Sequence, residues 1–258
     1  MAPERHKQAE VTSRTPAVMA REARKPFGWS HGWGAECWLQ WAAVTEMLHR
    51  LAIAPPATVL DVGCGPGWTT AFLAEAGYRP TGVDLVPANV EVARERAQRW
   101  GIEARFEVGD MDHLDLDNTW DAALLLDALH HSTRQREVLS GIARHLRPGG
   151  WLLLGEPSVL HRLSPHAHRT AREAGWTERG VGVRALRRDL RAAGFDEVRR
   201  FYGATRPYSS RVRGLLGQTA RLLGANLAAA PQMHVWMAAQ LPLTARVSAG
   251  PGRPARNP

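Results

Sequence analysis

From Val59 onward, short apolar runs alternate with segments whose apolar residues return every three or four positions, the pattern of strands and amphipathic helices in turn. Val59-Leu60-Asp61-Val62, Pro80 to Leu85, Ala104 to Met111, Trp120 to Leu126, Trp151 to Gly155, Glu197 to Tyr202 and Met233 to Ala239 read as strands. Between them, Thr69 to Ala76, the stripe Val90, Ala93, Ala97 and Trp100, the stripe Leu139, Ile142 and Leu146, and the set Leu186, Leu190 and Ala193 before Gly194 read as helices. Trp120 to Leu126 is apolar throughout except Asp121, as a strand covered on both faces must be. The order predicts an α/β fold, a doubly wound, mostly parallel seven-stranded sheet. Ahead of it, Trp41, Val44, Leu48 and Leu51 predict a helix over about 35–53, ended by Pro55-Pro56.

The first strand runs into Gly63-Cys64-Gly65-Pro66-Gly67-Trp68. Glycines at 63, 65 and 67 let the backbone take positive φ and come close to a ligand, with a helix opening behind them. A dinucleotide pyrophosphate wants Gly-x-Gly-x-x-Gly and no carboxylate nearby. Here Trp68 stands where that third glycine would fall, and Asp61 at the strand end would repel phosphate but attract an ammonium or sulfonium. A nucleoside carrying positive charge suits the turn better.

The run from Val59 to Trp68 resembles motif I of the class I S-adenosylmethionine-dependent methyltransferases. The seven strands resemble that family's Rossmann-like sheet, over about Val59 to Leu241. The resemblance implies S-adenosylmethionine as cofactor and S-adenosylhomocysteine as product. The set it implies for the cofactor is Asp61, Gly63, Gly65, Gly67, Asp84, Leu85, Asp110, Met111 and Leu126. Asp61 would face the methionine ammonium. Asp84, about twenty residues past the turn, would take the ribose hydroxyls. Asp110 with Met111 would take the adenine.

The fourth strand exits through Asp127-Ala128-Leu129-His130-His131, which resembles the family's motif IV region and places side chains at the carboxyl edge, where open α/β sheets bind ligands. His131 and His130 are candidate general bases, with helix capping or packing as their structural alternative. Glu156, ending the fifth strand, is a candidate for orienting a hydroxyl or an ammonium. The insertion over about 157–180 carries His161, His166, His168, Trp176 and Glu178; it would overlie the acceptor, and its histidine spacing does not predict a metal site. In-line transfer asks mainly for positioning and exclusion of water.

The expected reaction is methyl transfer to oxygen or nitrogen of a small molecule, a secondary metabolite or a sugar-containing compound. A nicotinamide-dependent oxidoreductase and a noncatalytic regulatory protein binding the same nucleoside are the alternatives. Four of the ten tryptophans, Trp29, Trp33, Trp38 and Trp41, lie together before the first strand. They predict a helical cap packed on the sheet edge or, with glycines at 28, 32 and 34, a lid.

Composition adds boundaries. The 258 residues are 44% hydrophobic, enough for one large core. The expected organisation is a disordered basic tail over 1–25, a Trp-rich helical cap or lid over 26–56, the methyltransferase domain over 57–245 and a disordered tail over 246–258. No apolar run reaches the roughly 20 residues that span a bilayer, and no signal-peptide core opens the chain; a cytoplasmic protein without membrane contact is expected. Cys37 and Cys64 do not predict a disulfide. The net charge of +8 comes almost wholly from scattered arginines, Lys7 and Lys25 being the only lysines. That reads as a solvated surface rather than a nucleic-acid footprint. Oligomeric state is left open, a homodimer included.

Overall fold

The computed structural model describes residues 2–27, 33–159, 168, 172, 180–201 and 234–243. Its elements run α1 (Ala2–Thr12), α2 (Pro16–Glu22), α3 (Trp33–Arg50), β1 (Thr58–Val62), α4 (Trp68–Glu75), β2 (Arg79–Asp84), α5 (Pro87–Trp100), β3 (Arg105–Val108), β4 (Trp120–Leu126), α6 (Gln135–Arg144), β5 (Leu146–Pro157), α7 (Val183–Ala192), β6 (Glu197–Phe201) and β7 (His234–Gln240). Short 3-10 turns follow β3 at Met111–His113 and β4 at Leu129–His131.

The strands form one seven-stranded sheet in the order β3-β2-β1-β4-β5-β7-β6. The first five pair in parallel and β7 runs antiparallel between β5 and β6. Strand order reverses between β1 and β4, so the crevice of such a sheet opens above their carboxyl ends. Because β7 is antiparallel, its first residue, His234, is paired with Pro157 at that same edge.

The two-residue period of the strands sorts their side chains onto two cores. Ala122, Leu124, Leu126, Trp151, Leu153, Trp236 and Ala238 pack with Cys37, Val44, Met47 and Leu48 of α3 and with Trp68 and Leu73 of α4. The alternate residues Ala123, Leu125, Leu152, Leu154, Val235 and Met237 pack with Val138, Leu139 and Ile142 of α6 and Leu186 and Leu190 of α7. Each buried aliphatic side chain contributes about 1.5–3 kcal/mol, and both faces of β4 and β5 are covered. This is why their sequences are continuously apolar.

α3 is therefore a layer of the core. Its aromatic residues meet at Phe72, whose ring lies 5.1 Å from Trp41, 5.5 Å from Trp38, 5.9 Å from Trp68 and 6.2 Å from Trp100. Trp29 and the Trp33 side chain lie outside the described residues, as do most of the 157–180 insertion and the 246–258 tail.

The N-terminal segment differs from expectation. In place of a disordered tail over residues 1–25, α1 and α2 are ordered against the domain. Thr15 caps α2 through the Val18 N–H, and the buried Arg96 guanidinium donates to the carbonyls of Ala23 (2.9 Å) and Lys25 (2.5 Å). Polar composition predicts disorder only where there is nothing to dock on; here α5 offers a cationic clamp. Cys37 and Cys64 are buried thiols not joined in a disulfide. Among the described residues no helix is long and apolar enough to cross a membrane.

Candidate functional site

β1 ends at Val62 and the chain turns through three glycines with φ of 71° at Gly63, 54° at Gly65 and 73° at Gly67. Gly67 is the N-cap of α4 and offers no side chain to its amides, so that helix end stays available to a ligand. A Cβ on Gly63 would come within 2.5 Å of the Ala128 Cβ, whereas one on Gly65 would meet nothing within 4 Å. Gly63 thus fits the turn to the loop after β4, and Gly65 stands beside open space.

Carboxylates stand at the ends of three adjacent strands. Asp61 on β1 is 1% exposed, and its Oδ2 accepts the hydroxyls of Thr69 and Thr70, both at 2.6 Å. Burial raises its pKa to about 6 against those bonds. Asp61 does not project into the crevice; it fixes the first turn of α4. Asp84, ending β2, accepts the Gly65 N–H at 2.8 Å and, through its other oxygen, the Val86 N–H and the Asn89 amide at 2.9 Å each. It joins the glycine turn to the start of α5, with Leu85 half-buried beside it.

Asp110 follows β3 and caps the next 3-10 turn by accepting the Asp112 N–H at 2.9 Å. Met111 packs against the core there. The Lys7 ammonium of α1 lies 2.5 Å from Asp110 and 2.7 Å from Asp112. Three residues along, Glu10 lies 3.7 Å from His131 Nδ1. Burial, with the like charges of Asp84 and Asp112, raises Glu10 to about 7 against the pull of Arg14 and His130. α1 thus lies against the turns that follow β3 and β4.

The residues after β4 behave differently from one another. Glu156 is fully buried, and its carboxylate accepts the backbone N–H groups of Ala128 (3.0 Å), Leu129 (2.8 Å) and His130 (3.2 Å), with His130 Nδ1 at 2.8 Å. Its acceptor capacity is taken up by the loop it holds, so the expectation that it orients an acceptor gives way to a structural place in the wall. His130 is buried with it. His131 is more open, at 20% side-chain exposure against 6% for His130, and the two rings lie 4.0 Å apart. Leu126, ending β4, is buried.

Asp127 was noted above only for its position. It has φ of 50°, uncommon for a residue with a side chain, and its carboxylate meets His234 Nε2 of β7 at 2.7 Å and the Gln40 amide of α3. Burial would raise its pKa, but the charge and hydrogen bond of His234, with smaller contributions from His130 and Gln40, hold it down to about 2. Gln40 and His234 were missed, as were Lys7 and Glu10. The available signals were a polar residue on the apolar stripe of α3, a histidine opening an apolar strand, and an i, i+3 pair in a tail read as disordered. Among the described residues no group of histidine, cysteine and acidic side chains is arranged to hold a metal ion; His161 and His166 lie outside them.

Comparison with known proteins agrees with this geometry. A family model described as a methyltransferase domain matches residues 59–150. The chain is 38% identical over 122 residues to methyltransferase GfsG of Streptomyces halstedii, covering 44% of this chain and 42% of that one. It is 33% identical over 116 residues to the S-adenosyl-L-methionine-dependent Diels-Alderase iccD of Talaromyces variabilis, covering 43% and 40%. The chain spans less than half the length of these curated relatives. A Burkholderia thailandensis 1,6-didemethyltoxoflavin-N1-methyltransferase, solved with its acceptor and S-adenosylhomocysteine, shares the fold at a TM-score of 0.60 and 24% identity over 94% of this chain and 91% of its own. Residues 59–150, with the glycine turn and its carboxylates among them, match a methyltransferase domain, and the sheet that carries them has the Rossmann-like fold of the class I S-adenosylmethionine-dependent methyltransferases.

Proposed function

We propose that the protein transfers a methyl group from S-adenosylmethionine to an oxygen or nitrogen of a small molecule. One observation carries this reading: the open space at Gly65, whose N–H is held by the Asp84 carboxylate, with Asp61 buried under the first turn of the helix that follows. Open space at a positive-φ glycine, with one carboxylate beside it and a second buried beneath the helix start, fits a cationic adenosyl donor and disfavours a pyrophosphate. When bound, S-adenosylmethionine supplies a methyl on a sulfonium. An acceptor nucleophile would take that methyl as the carbon–sulfur bond broke, the bonding pair remaining on sulfur, and a hydroxyl or ammonium acceptor would give up a proton.

The work of the chain is then to bind, orient and exclude water. Asp61 offsets the positive charge from beneath the turn. Asp84 and Asp110 mark the ribose and adenine positions, with Leu85, Met111 and Leu126 as apolar walls. Glu156 and His130 shape the floor under the reacting groups. His131, with Glu10 across from it, is placed to take the proton that a hydroxyl acceptor must lose. The toxoflavin-type relative supports a small acceptor.

The experiment is titration of the protein with S-adenosylhomocysteine by calorimetry, then incubation of a cell metabolite pool with methyl-labelled S-adenosylmethionine and mass spectrometry for the labelled product. Product binding and one labelled compound support the reading; failure to bind S-adenosylhomocysteine sinks it. The likeness to a Diels-Alderase favours one second reading, in which the bound cofactor is kept and the reaction is a ring closure. Binding without any labelled product would favour it.

A further inference from the structure

The donor half of the crevice lies over β1, β2 and β3, but a second polar group stands on the other half, over β4 and β7. Three residues far apart in sequence converge there. Gln40 from α3 and His234 from β7 each give a hydrogen bond to Asp127, one to each carboxylate oxygen. The side chain of Asp127 is still 34% exposed. A carboxylate has about four acceptor positions, so two remain for a ligand in the crevice.

The backbone is arranged for this placement. Asp127 follows directly on β4 with a positive φ while its N–H stays bonded to the Gly155 carbonyl at 2.8 Å. The left-handed region is disfavoured for a residue with a side chain, and such conformations cluster at ligand sites. Glu156, one strand over, already anchors the same loop through the next three amides. The loop therefore has its structural carboxylate, and Asp127 is a second one facing the opening.

We propose that Asp127, held by Gln40 and His234, is the anchor for the acceptor, taking an acceptor that presents an N–H or O–H donor beside the transferred methyl and turning away carboxylate or phosphate acceptors. This rests on the methyl-transfer reading of the crevice. Asp127 would touch the acceptor; Gln40 and His234 are positioning residues. His234 and Gln40 favour the ionised carboxylate, and a hydrogen bond to a charged acceptor is stronger than one between neutral groups.

The test uses three probes of one shape, benzylamine, benzyl alcohol and benzoate, observed by ligand-detected NMR on the full chain with and without S-adenosylhomocysteine. Benzylamine and benzyl alcohol should bind roughly tenfold or more tightly than benzoate. Asp127→Asn should abolish the benzylamine preference and let benzoate in while S-adenosylhomocysteine affinity stays within about twofold. If hydroxyl acceptors are the natural ones, benzyl alcohol should survive Asp127→Asn, whose carbonyl still accepts, and be lost in Asp127→Leu. His234→Gln and Gln40→Met should weaken the probes by a smaller factor with the product affinity intact. Should Asp127→Asn fail to bind S-adenosylhomocysteine, Asp127→Ser replaces it as the folded reference. No preference among the three probes in the wild-type protein, or the same preference in a variant that still binds product, overturns the proposal. A wild-type protein that discriminates the probes but does not bind S-adenosylhomocysteine would instead overturn the methyl-transfer reading.

Discussion

His130 Nδ1 lies 2.8 Å from Glu156 Oε2, and the same carboxylate receives the backbone N–H of His130. Side chain and main chain of one residue are thus fixed by one buried group. Replacing Glu156 by Gln puts an amide N–H₂ where donors already point, leaving at least one buried N–H without an acceptor. The cost should be about 2–3 kcal/mol, a melting temperature lower by roughly 5–10 °C. Thermal unfolding measures this. If Glu156 were a catalytic base instead, Glu156→Gln would melt like the wild type and lose only turnover.

A pH dependence follows from Asp61. Burial raises its pKa from 3.8 to about 6, so between those values the folded protein holds a proton that the unfolded chain has released. Stability is fully present below about pH 4 and falls as pH rises through 6. Two units amount to about 3 kcal/mol. Glu10, raised to about 7, adds a fall of the same sign reaching slightly higher pH. Asp127, lowered to about 2, has the opposite sign, its contribution present at neutral pH and lost below about 4. Urea unfolding at pH 4.5 and 7.5 should show a larger loss for the wild type than for Asp61→Asn, with Glu10→Gln as the second reference. Equal losses in all three proteins would show that neither carboxyl is perturbed.

The same group links protons to ligand. A cation above Asp61 favours its ionised form, so cofactor binding near pH 6 should release a proton. Calorimetry in two buffers of different ionisation enthalpy should give different apparent heats at pH 6 and equal ones at pH 8. In Asp61→Asn the difference at pH 6 should shrink to whatever Glu10 contributes.

Arg96 supports the N-terminal helices. Its guanidinium serves two backbone carbonyls and sits over the Trp100 ring at 5.5 Å, a geometry that a lysine ammonium cannot reproduce. Arg96→Ala and Arg96→Lys should both speed hydrogen exchange over residues 16–27 by tenfold or more, in keeping with the roughly 1.5–3 kcal/mol of bonds to a charged group. The exchange of β4 should stay unchanged. Uniformly faster exchange would mean that Arg96 serves the whole fold.

The sheet was legible in the sequence because period-2 patterning and glycine turns are local. Leu124 and Leu125 face opposite cores, and a strand between two cores has to read as apolar throughout. The positions of Asp61, Asp84 and Asp110 were legible for the same reason, each standing at or just past a strand end. What escaped depends on non-local pairing. Lys7 and Glu10 lie in a polar stretch whose partners, Asp110, Asp112 and His131, are about a hundred residues or more away in the chain. His234 reaches the crevice only because β7 enters the sheet antiparallel beside β5. Glu156 has the right address for catalysis, but the direction of its carboxylate, toward three amides, is written in the loop after β4.

Gly63 and Gly65 look alike in sequence and have similar positive φ, 71° and 54°, yet they should respond differently to the same methyl group. Either Gly→Ala change costs of order 1 kcal/mol for the left-handed backbone. At Gly63 the new Cβ would also lie 2.5 Å from the Ala128 Cβ, and neither atom is the end of a flexible side chain, so turn and loop must separate. Gly63→Ala should therefore lose several kcal/mol of stability, visible as a large drop in the urea midpoint. At Gly65 there is nothing within 4 Å, and the methyl projects into the cradle itself. Gly65→Ala should unfold within about 1–1.5 kcal/mol of the wild type while its affinity for S-adenosylhomocysteine falls by tenfold or more. Equal affinity in a folded Gly65→Ala protein would place the nucleoside elsewhere and remove the observation on which the methyl-transfer reading stands.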